Sequence, residues 1–294
     1  MKILNFGSCN IDIVYNVDHI VRPGETISVD NIETYVGGKG LNQSVALANA
    51  GVKVYHAGCI GSDGCVLLDF MSAAGVDLSY LQINNTKTGQ AIIQVDKSGE
   101  NAIFLYAGAN HAITEEYVDS VLSNFAEGVF LLLQNEINNI DYIIDKAYER
   151  GMKIFFNPAP FNKIAAGIDL NKLYCIIPNE IESSGYTGCE DYNAFVDLIR
   201  NRYSNLRAVV TLGKRGCVYI DEENILHQSA FNVEAVDTTA AGDTFVGYFI
   251  AQISRGKSVE EAIKAACAAS AITVSRKGAA PSIPKIDDVE RFMK

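Results

Sequence analysis

Asp237-Thr238-Thr239-Ala240-Ala241-Gly242-Asp243 runs directly into the apolar stretch that begins Thr244-Phe245-Val246. Side chains no larger than a methyl at 240–242 let backbone N–H groups approach an anion, and a helix that starts there adds the positive end of its dipole. Ala240, Ala241 and Gly242 are therefore a candidate anion hole, fit for phosphate. Asp243 has two readings. An acid at a helix start commonly caps it. A carboxylate beside an anion hole is also where a base must stand to take a proton from a hydroxyl attacking a phosphoryl group. The cradle favours the base.

A second glycine cluster, Gly37-Gly38-Lys39-Gly40-Leu41-Asn42-Gln43, also leads into a helical pattern. It matches neither the G-x-x-x-x-G-K-[ST] phosphate loop nor the G-x-G-x-x-G dinucleotide turn, so its use comes from context. Asn42 offers a donor and an acceptor, and Lys39 a cation, a pair suited to a polyol next to a phosphate. Asn10 and Asp12 follow the first apolar run, and strand ends are where open α/β sheets bind ligands. Asp12 taken alone would read as a solvated turn residue. Glu136 follows another apolar run, where a carboxylate needs a reason.

The rest of the chain must position these groups. Its 294 residues, 48% hydrophobic and 20% charged, are ordinary for a globular α/β protein, with no composition of a disordered or coiled-coil chain. Twenty-four Lys and Arg against 35 Asp and Glu leave a net charge of −11, with no basic run, so nucleic acid and anionic membrane are poor partners. A phosphate ligand must then be held by local devices: helix N-termini, a few cations, bound metal. Seven scattered Cys residues without a C-x-x-C pair argue against a disulfide framework or zinc site and fit a reducing, cytoplasmic setting. The first apolar stretch is too short for a signal segment, and no run approaches a membrane span. The four His residues lack ligand-like spacing and read as packed or surface residues.

Strand-like and helix-like segments alternate, the pattern of a parallel sheet covered on both faces. Strands are expected at Ile3–Phe6, Val52–Ala57, Val129–Gln134, Lys153–Asn157, Leu173–Ile177 and Ala208–Leu212. Helices are expected at Leu41–Ala50, Tyr117–Phe125, Asp141–Arg150, Tyr192–Tyr203, Phe245–Ser254 and Val259–Ser275. Two segments, about 11–35 and 88–107, alternate apolar with polar residues instead, as half-exposed antiparallel strands do. Lys97-Ser98-Gly99-Glu100 supplies a hairpin turn. Both belong to a small second sheet that elaborates one domain over 1–294.

At the two glycine-containing segments together the chain resembles the ribokinase-like (PfkB) carbohydrate kinase family, GGKGLNQ at 37–43 being similar to its first signature and DTTAAGDTF at 237–245 to its second. Further similar stretches fall in order along nearly the whole chain: Asn10-x-Asp12, Pro23-Gly24-Glu25-Thr26, Ala107-Gly108-Ala109-Asn110, Asn157-Pro158-Ala159-Pro160, Pro178-Asn179-Glu180-x-Glu182, Thr211-Leu212-Gly213-x-x-Gly216 and Arg276-Lys277-Gly278-Ala279-x-Pro281-Ser282.

The resemblance implies a ribokinase-like fold, a central, mostly parallel sheet flanked by helices, with a small β-sheet lid that pairs with the lid of a second subunit. It implies an ATP-dependent sugar kinase that phosphorylates a primary hydroxyl, with D-ribose the leading acceptor, and Asp243 as base. By the same resemblance Asn10, Asp12, Gly38, Asn42 and Glu136, with Lys39 beside them, hold the sugar. Asn179, Glu182, Thr211, Gly213, Gly216 and Gly242 surround the nucleotide and its Mg²⁺. Asp237, Thr239, Thr273, Arg276, Gly278 and Ser282 hold a monovalent cation, K⁺. Read from the residues alone, Asn179 is a helix cap and Thr211-Leu-Gly-x-x-Gly a tight turn. Leu41, Gln90 and Cys267 depart from the family's usual residues, the first two bearing on the sugar and the third on the nucleotide. Alternatives are a nucleoside or other furanose kinase, or an inactive sugar sensor. An intact Asp243 speaks against the sensor, and the missing G-x-G-x-x-G against a dehydrogenase.

Overall fold

The computed structural model describes residues 2–29 and 31–294; position 30, within the first segment expected in the small sheet, lies outside the described residues. The strands in chain order are β1 (Ile3–Phe6), β2 (Asn10–Asn16), β3 (Asn31–Gly37), β4 (Val54–Gly61), β5 (Asp77–Asn84), β6 (Gly89–Val95), β7 (Asn101–Tyr106), β8 (Phe130–Gln134), β9 (Lys153–Asn157), β10 (Cys175–Ile176), β11 (Arg207–Thr211), β12 (Cys217–Ile220) and β13 (Ile225–Gln228). The helices are α1 (Lys39–Asn49), α2 (Cys65–Ala73), α3 (Glu115–Leu122), α4 (Ile140–Glu149), α5 (Lys163–Gly167), α6 (Glu180–Thr187), α7 (Tyr192–Arg202), α8 (Ala241–Ser254), α9 (Val259–Val274) and α10 (Ile286–Phe292).

The large sheet has the order β13-β12-β11-β10-β9-β8-β1-β4-β5 and is parallel from β5 to β11. β12 and β13 add an antiparallel edge. Its central strands are mostly apolar because both faces are covered, and their side chains alternate between two cores. Ile3, Phe130 and Leu132 pack with α1, α2, α8 and α9. Leu4, Phe6, Leu131 and Leu133 pack with α3, α4 and α7. The expected strand at Leu173–Ile177 reduces to Cys175–Ile176. Single backbone bonds from Tyr174 to Ile154 and from Ile177 to Phe156 continue the register beyond it.

The small sheet has the order β3-β2-β6-β7, with β2 antiparallel to β3 and parallel to β6. β6 and β7 form the hairpin expected at residues 97–100, closed by Asp96, whose carboxylate accepts from the amides of Ser98 and Glu100. On this sheet Ile32, Ile103, Phe104, Leu105 and Tyr106 are at least half exposed. Among the described residues no helix is long and apolar enough to cross a membrane, and no group of three or more His, Cys, Asp or Glu side chains could hold a metal. The seven Cys residues are free thiols.

Candidate active site

Each glycine of the first cluster answers a different steric demand. A Cβ on Gly37 would lie 2.0 Å from Asp12 Oδ2, and one on Gly40 would lie 2.3 Å from the Ser8 amide nitrogen. Gly38 has φ +92°, a conformation that costs other residues dearly. Together they bring the start of α1 against the ends of β1 and β2. Gly38 has no side chain to cap the helix, so its first amides are served from outside. Glu136 Oε2 accepts from the Lys39 amide (2.9 Å) and from the Ser8 hydroxyl (2.5 Å), and Ser8 Oγ accepts from the Gly40 amide (3.2 Å).

Asn10 is buried, its Oδ1 accepting from Asn110 Nδ2 at 2.7 Å. Asn110 Oδ1 also accepts from the Cys9 amide, so Asn110 fixes where β2 begins. Sequence reasoning gave Asn110 no role. Among the described residues, three buried side-chain atoms have no hydrogen-bond partner: Asp12 Oδ1, Asn42 Oδ1 and Gln134 Oε1. All three are acceptors, and such an atom left unpaired costs about 1–3 kcal/mol. Two of them belong to the residues proposed for the sugar. What they lack is what a polyol brings, hydroxyl donors.

Burial, with Glu136 close by, pushes the Asp12 carboxyl up to about 7. Burial works against the Lys39 charge too, but the carboxylates of Asp243, Glu136 and Glu182 outweigh it and hold the ammonium above its ordinary value. One half-buried cation thus sits among acids drawn from three parts of the chain. Because the native state keeps the Asp12 proton longer than the unfolded chain does, Asp12 contributes stability below its ordinary value of 3.8. That contribution is lost as pH rises through about 7. Asp12→Asn is expected to raise the melting temperature of the ligand-free protein at pH 8 and to flatten its decline between pH 4 and 7. A thermal-melt series across that range checks it, and parallel declines in both proteins would refute it.

Asp243 does not cap its helix. Ala240 is the N-cap of α8, held at φ +60°, and no side chain caps the helix. Asp243 stands in the first turn, buried, and turns both oxygens to α1. Its Oδ2 accepts from Asn42 Nδ2 at 2.9 Å and its Oδ1 from Gln43 Nε2 at 2.9 Å. Of the small residues before it, Ala241 directs its amide to the Thr238 carbonyl at 3.3 Å. Gly242 adopts no positive φ, and a Cβ there would meet nothing within 4 Å. Glycine at this position is thus required neither by the backbone nor by its neighbours.

A cavity of about 470 Å³ opens beside it, lined by Thr211, Gly213, Gly216, Gly242, Phe245 and Cys267 among others. Cys267 Sγ lies 3.8 Å from Cys217 Sγ. Thr211-Leu-Gly-x-x-Gly is indeed a tight turn, joining β11 to β12, and it also walls this cavity. Asn179 is a cap, in a capping box with Glu182 on α6. Glu182 is buried, and burial pushes its carboxyl up, against the Asn179 amide and Lys39, which favour the charged form. Leu41 spends its bulk in the core, and Gln90 is half-buried on β6.

The loop before α8 is tied by Asp237. Its Oδ1 accepts from the Thr239 amide and hydroxyl, and its Oδ2 from the Gly278 amide (3.0 Å). Burial opposes its charge, but these bonds outweigh burial and keep the carboxyl below its usual range. Ser282 donates to the Ala279 carbonyl and Thr273 to Thr244. The Arg276 guanidinium is paired with Asp288 at 3.2 Å, so only its backbone could join Asp237 in a site.

Comparison with known proteins gives the family. The model of the pfkB family carbohydrate kinases matches residues 1–286. A ribokinase of Haemophilus influenzae is 35% identical over 98% of this chain and 97% of its own length. Among solved structures, an Arabidopsis thaliana ribokinase complexed with ribose and ATP superposes with a TM-score of 0.89 at 29% identity, covering 100% of this chain and 98% of that one. A ribokinase of Cryptococcus neoformans var. grubii in complex with ADP does so with a TM-score of 0.88 at 32% identity, covering 99% of each chain. The uncapped helix start, the buried Asp243 carboxylate and the unpaired acceptors are thus features of a chain that belongs to the pfkB family of carbohydrate kinases.

Proposed function

We propose that this protein transfers the γ-phosphate of ATP to the primary hydroxyl of a sugar, D-ribose to D-ribose 5-phosphate. The observation that carries this is the meeting of buried, unpaired acceptors on Asp12 and Asn42 with a buried Asp243 at an uncapped helix start. In this reading Asp12, Asn42, Glu136, Asn10 and Gly38 take the sugar, and the apolar cavity lined by Cys267 and Phe245 takes the base of the nucleotide. Asp243 accepts the proton of the attacking hydroxyl, while the free amides at 242–243 and Lys39 offset charge on the phosphoryl oxygens.

The acids around Lys39 would repel a bare nucleotide, so ATP enters with Mg²⁺, whose charge offsets theirs when bound. Asn179 and Glu182 would hold it through an outer shell; the carboxylate oxygens of Glu182, already bonded to Asn179, retain lone pairs for a metal-bound water. Asp237, Thr239, Thr273, Arg276, Gly278 and Ser282 would offer backbone and side-chain oxygens, one of them a charged carboxylate, a donor set suited to a hard monovalent cation such as K⁺. The small sheet closes over the sugar as a lid, and its exposed apolar strand β7 pairs with a second copy in a homodimer. Activity belongs to the cytoplasm, where ATP is supplied.

Coupled ADP release tests the reading with ribose, deoxyribose, fructose phosphate and nucleosides, each with and without K⁺. The expected result is the highest kcat/KM with ribose and a rise in rate when K⁺ replaces Na⁺ in K⁺-free buffer. Preference for a nucleoside overturns the substrate, no turnover on any of them overturns the kinase, and indifference to K⁺ overturns the cation site.

A further inference from the structure

Behind Asp243 lies a set of buried amides to which the sequence reading gave no role. Gln43 donates one N–H to Asp243 Oδ1 (2.9 Å) and the other to Asn157 Oδ1 (3.1 Å), and its Oε1 accepts from Gln134 Nε2 (2.7 Å). Gln134 donates again to Asn5 Oδ1 at 2.9 Å. Asn5, Gln43, Gln134 and Asn157 are all fully or nearly buried. Asn5 and Gln134 lie on neighbouring strands β1 and β8, and Gln134 stands directly beside Asn157 in the register of β8 and β9.

An amide can face either way, but this set cannot. Asn157 Nδ2 donates to the Ile177 carbonyl at 2.8 Å and Asn5 Nδ2 to the Gly40 carbonyl at 2.7 Å. Backbone carbonyls only accept, so each fixes its asparagine with the oxygen turned inward. Those oxygens demand N–H from Gln43 and Gln134. Turning Gln43 over would set its oxygen against Asp243 and Asn157 and its NH₂ against that of Gln134, forfeiting three bonds. The N–H aimed at Asp243 is therefore in place before any substrate arrives.

We propose that Gln43 is a positioning residue for Asp243, and that Gln134 acts on the reaction only through Gln43, as the clamp that fixes its orientation. This rests on the reading of Asp243 as the base. With Asn42 on the other oxygen, Gln43 fixes the plane of the carboxylate and leaves the remaining lone pairs for the sugar hydroxyl. Such pre-set alignment is worth most in turnover and little in binding.

The test is steady-state kinetics with ATP and D-ribose on Gln43→Met, Gln134→Met, the double variant, and Gln43→Met in an Asp243→Asn background, with a melting temperature for each. Loss of one hydrogen bond to a charged group predicts a kcat lower by about ten- to a hundred-fold for Gln43→Met. Both KM values should stay within about two-fold, as an effect confined to the transition state requires. Gln134→Met should lose less, and the double variant no more than Gln43→Met alone, because two residues acting through one bond do not add. In the Asp243→Asn background Gln43→Met should change nothing further. Multiplying losses, an equal loss without Asp243, or an unchanged kcat in Gln43→Met would overturn the proposal. Should Gln43→Met fail to fold, Gln134→Met in the two backgrounds distinguishes the same outcomes, since it leaves both neighbours of Asp243 in place. Absence of ribose-dependent ADP release in the unmodified protein would instead refute the kinase reading itself.

Discussion

Asparagine at position 243 is expected to lower kcat by about 10²–10⁴-fold, the usual contribution of a positioned general base, while ATP still binds. The change also carries a structural cost. Both oxygens of Asp243 accept amide N–H groups, from Asn42 and Gln43. An asparagine must present its own NH₂ to one of them, leaving a buried donor unpaired at about 1–3 kcal/mol. The variant should melt several degrees lower yet fold cooperatively. Melting temperature, ATP affinity and kcat on one preparation separate the two effects. Turnover within a few-fold of the unmodified protein would exclude Asp243 as the base.

Gly242→Ala should act in the opposite sense on stability. The residue lies in the first turn of α8, has no positive φ and has open space where a Cβ would go. Alanine is preferred to glycine in a helix by up to about 1 kcal/mol, so the melting temperature should hold or rise. The new methyl would occupy the space proposed for the phosphoryl oxygens, and a displaced anion-hole contact typically costs on the order of 10²-fold in kcat. A protein that becomes more robust while losing turnover identifies a position kept small for its ligand. Full activity in this variant would mean that the phosphate lies elsewhere.

The parts of this fold legible in the sequence are those whose physics is local. Continuous apolar runs such as Phe130–Gln134 and Lys153–Asn157 mark strands covered on both faces. The alternation over 88–107 gives the hairpin of the small sheet. β5 escaped because it closes an edge of the large sheet and none of its side chains is fully buried. β12 and β13 are four residues each and too short to show a period. The glycine clusters were visible as small residues, but not that Gly37 is small for Asp12, or that Asp243 stands past the cap rather than at it. The first is a contact between segments 25 residues apart, and the second turns on the φ of +60° at Ala240. The buried amides carried one faint sign, an amide closing each of two otherwise apolar strands, Gln134 on β8 and Asn157 on β9.

Gly247 lies one turn beyond Asp243 on α8, and a Cβ there would come within 2.4 Å of Ala46 Cβ and 3.0 Å of the Leu47 amide on α1. The two helices therefore meet almost backbone to backbone, with no side chain between them to rotate. Asn42, Gln43 and Asp243 are consequently held as one unit, whereas Asp12 stands on β2 of the small sheet. The contacts proposed for the sugar are thereby divided, Asn42 standing on α1 beside the proposed base and Asp12 on β2. In the proposed site, acceptor range can change through β2, β3 and β6 while the alignment of Asp243 by α1 is kept. A directed-evolution library aimed at new sugars should therefore vary those three strands and leave Asn42, Gln43 and Asp243 unchanged.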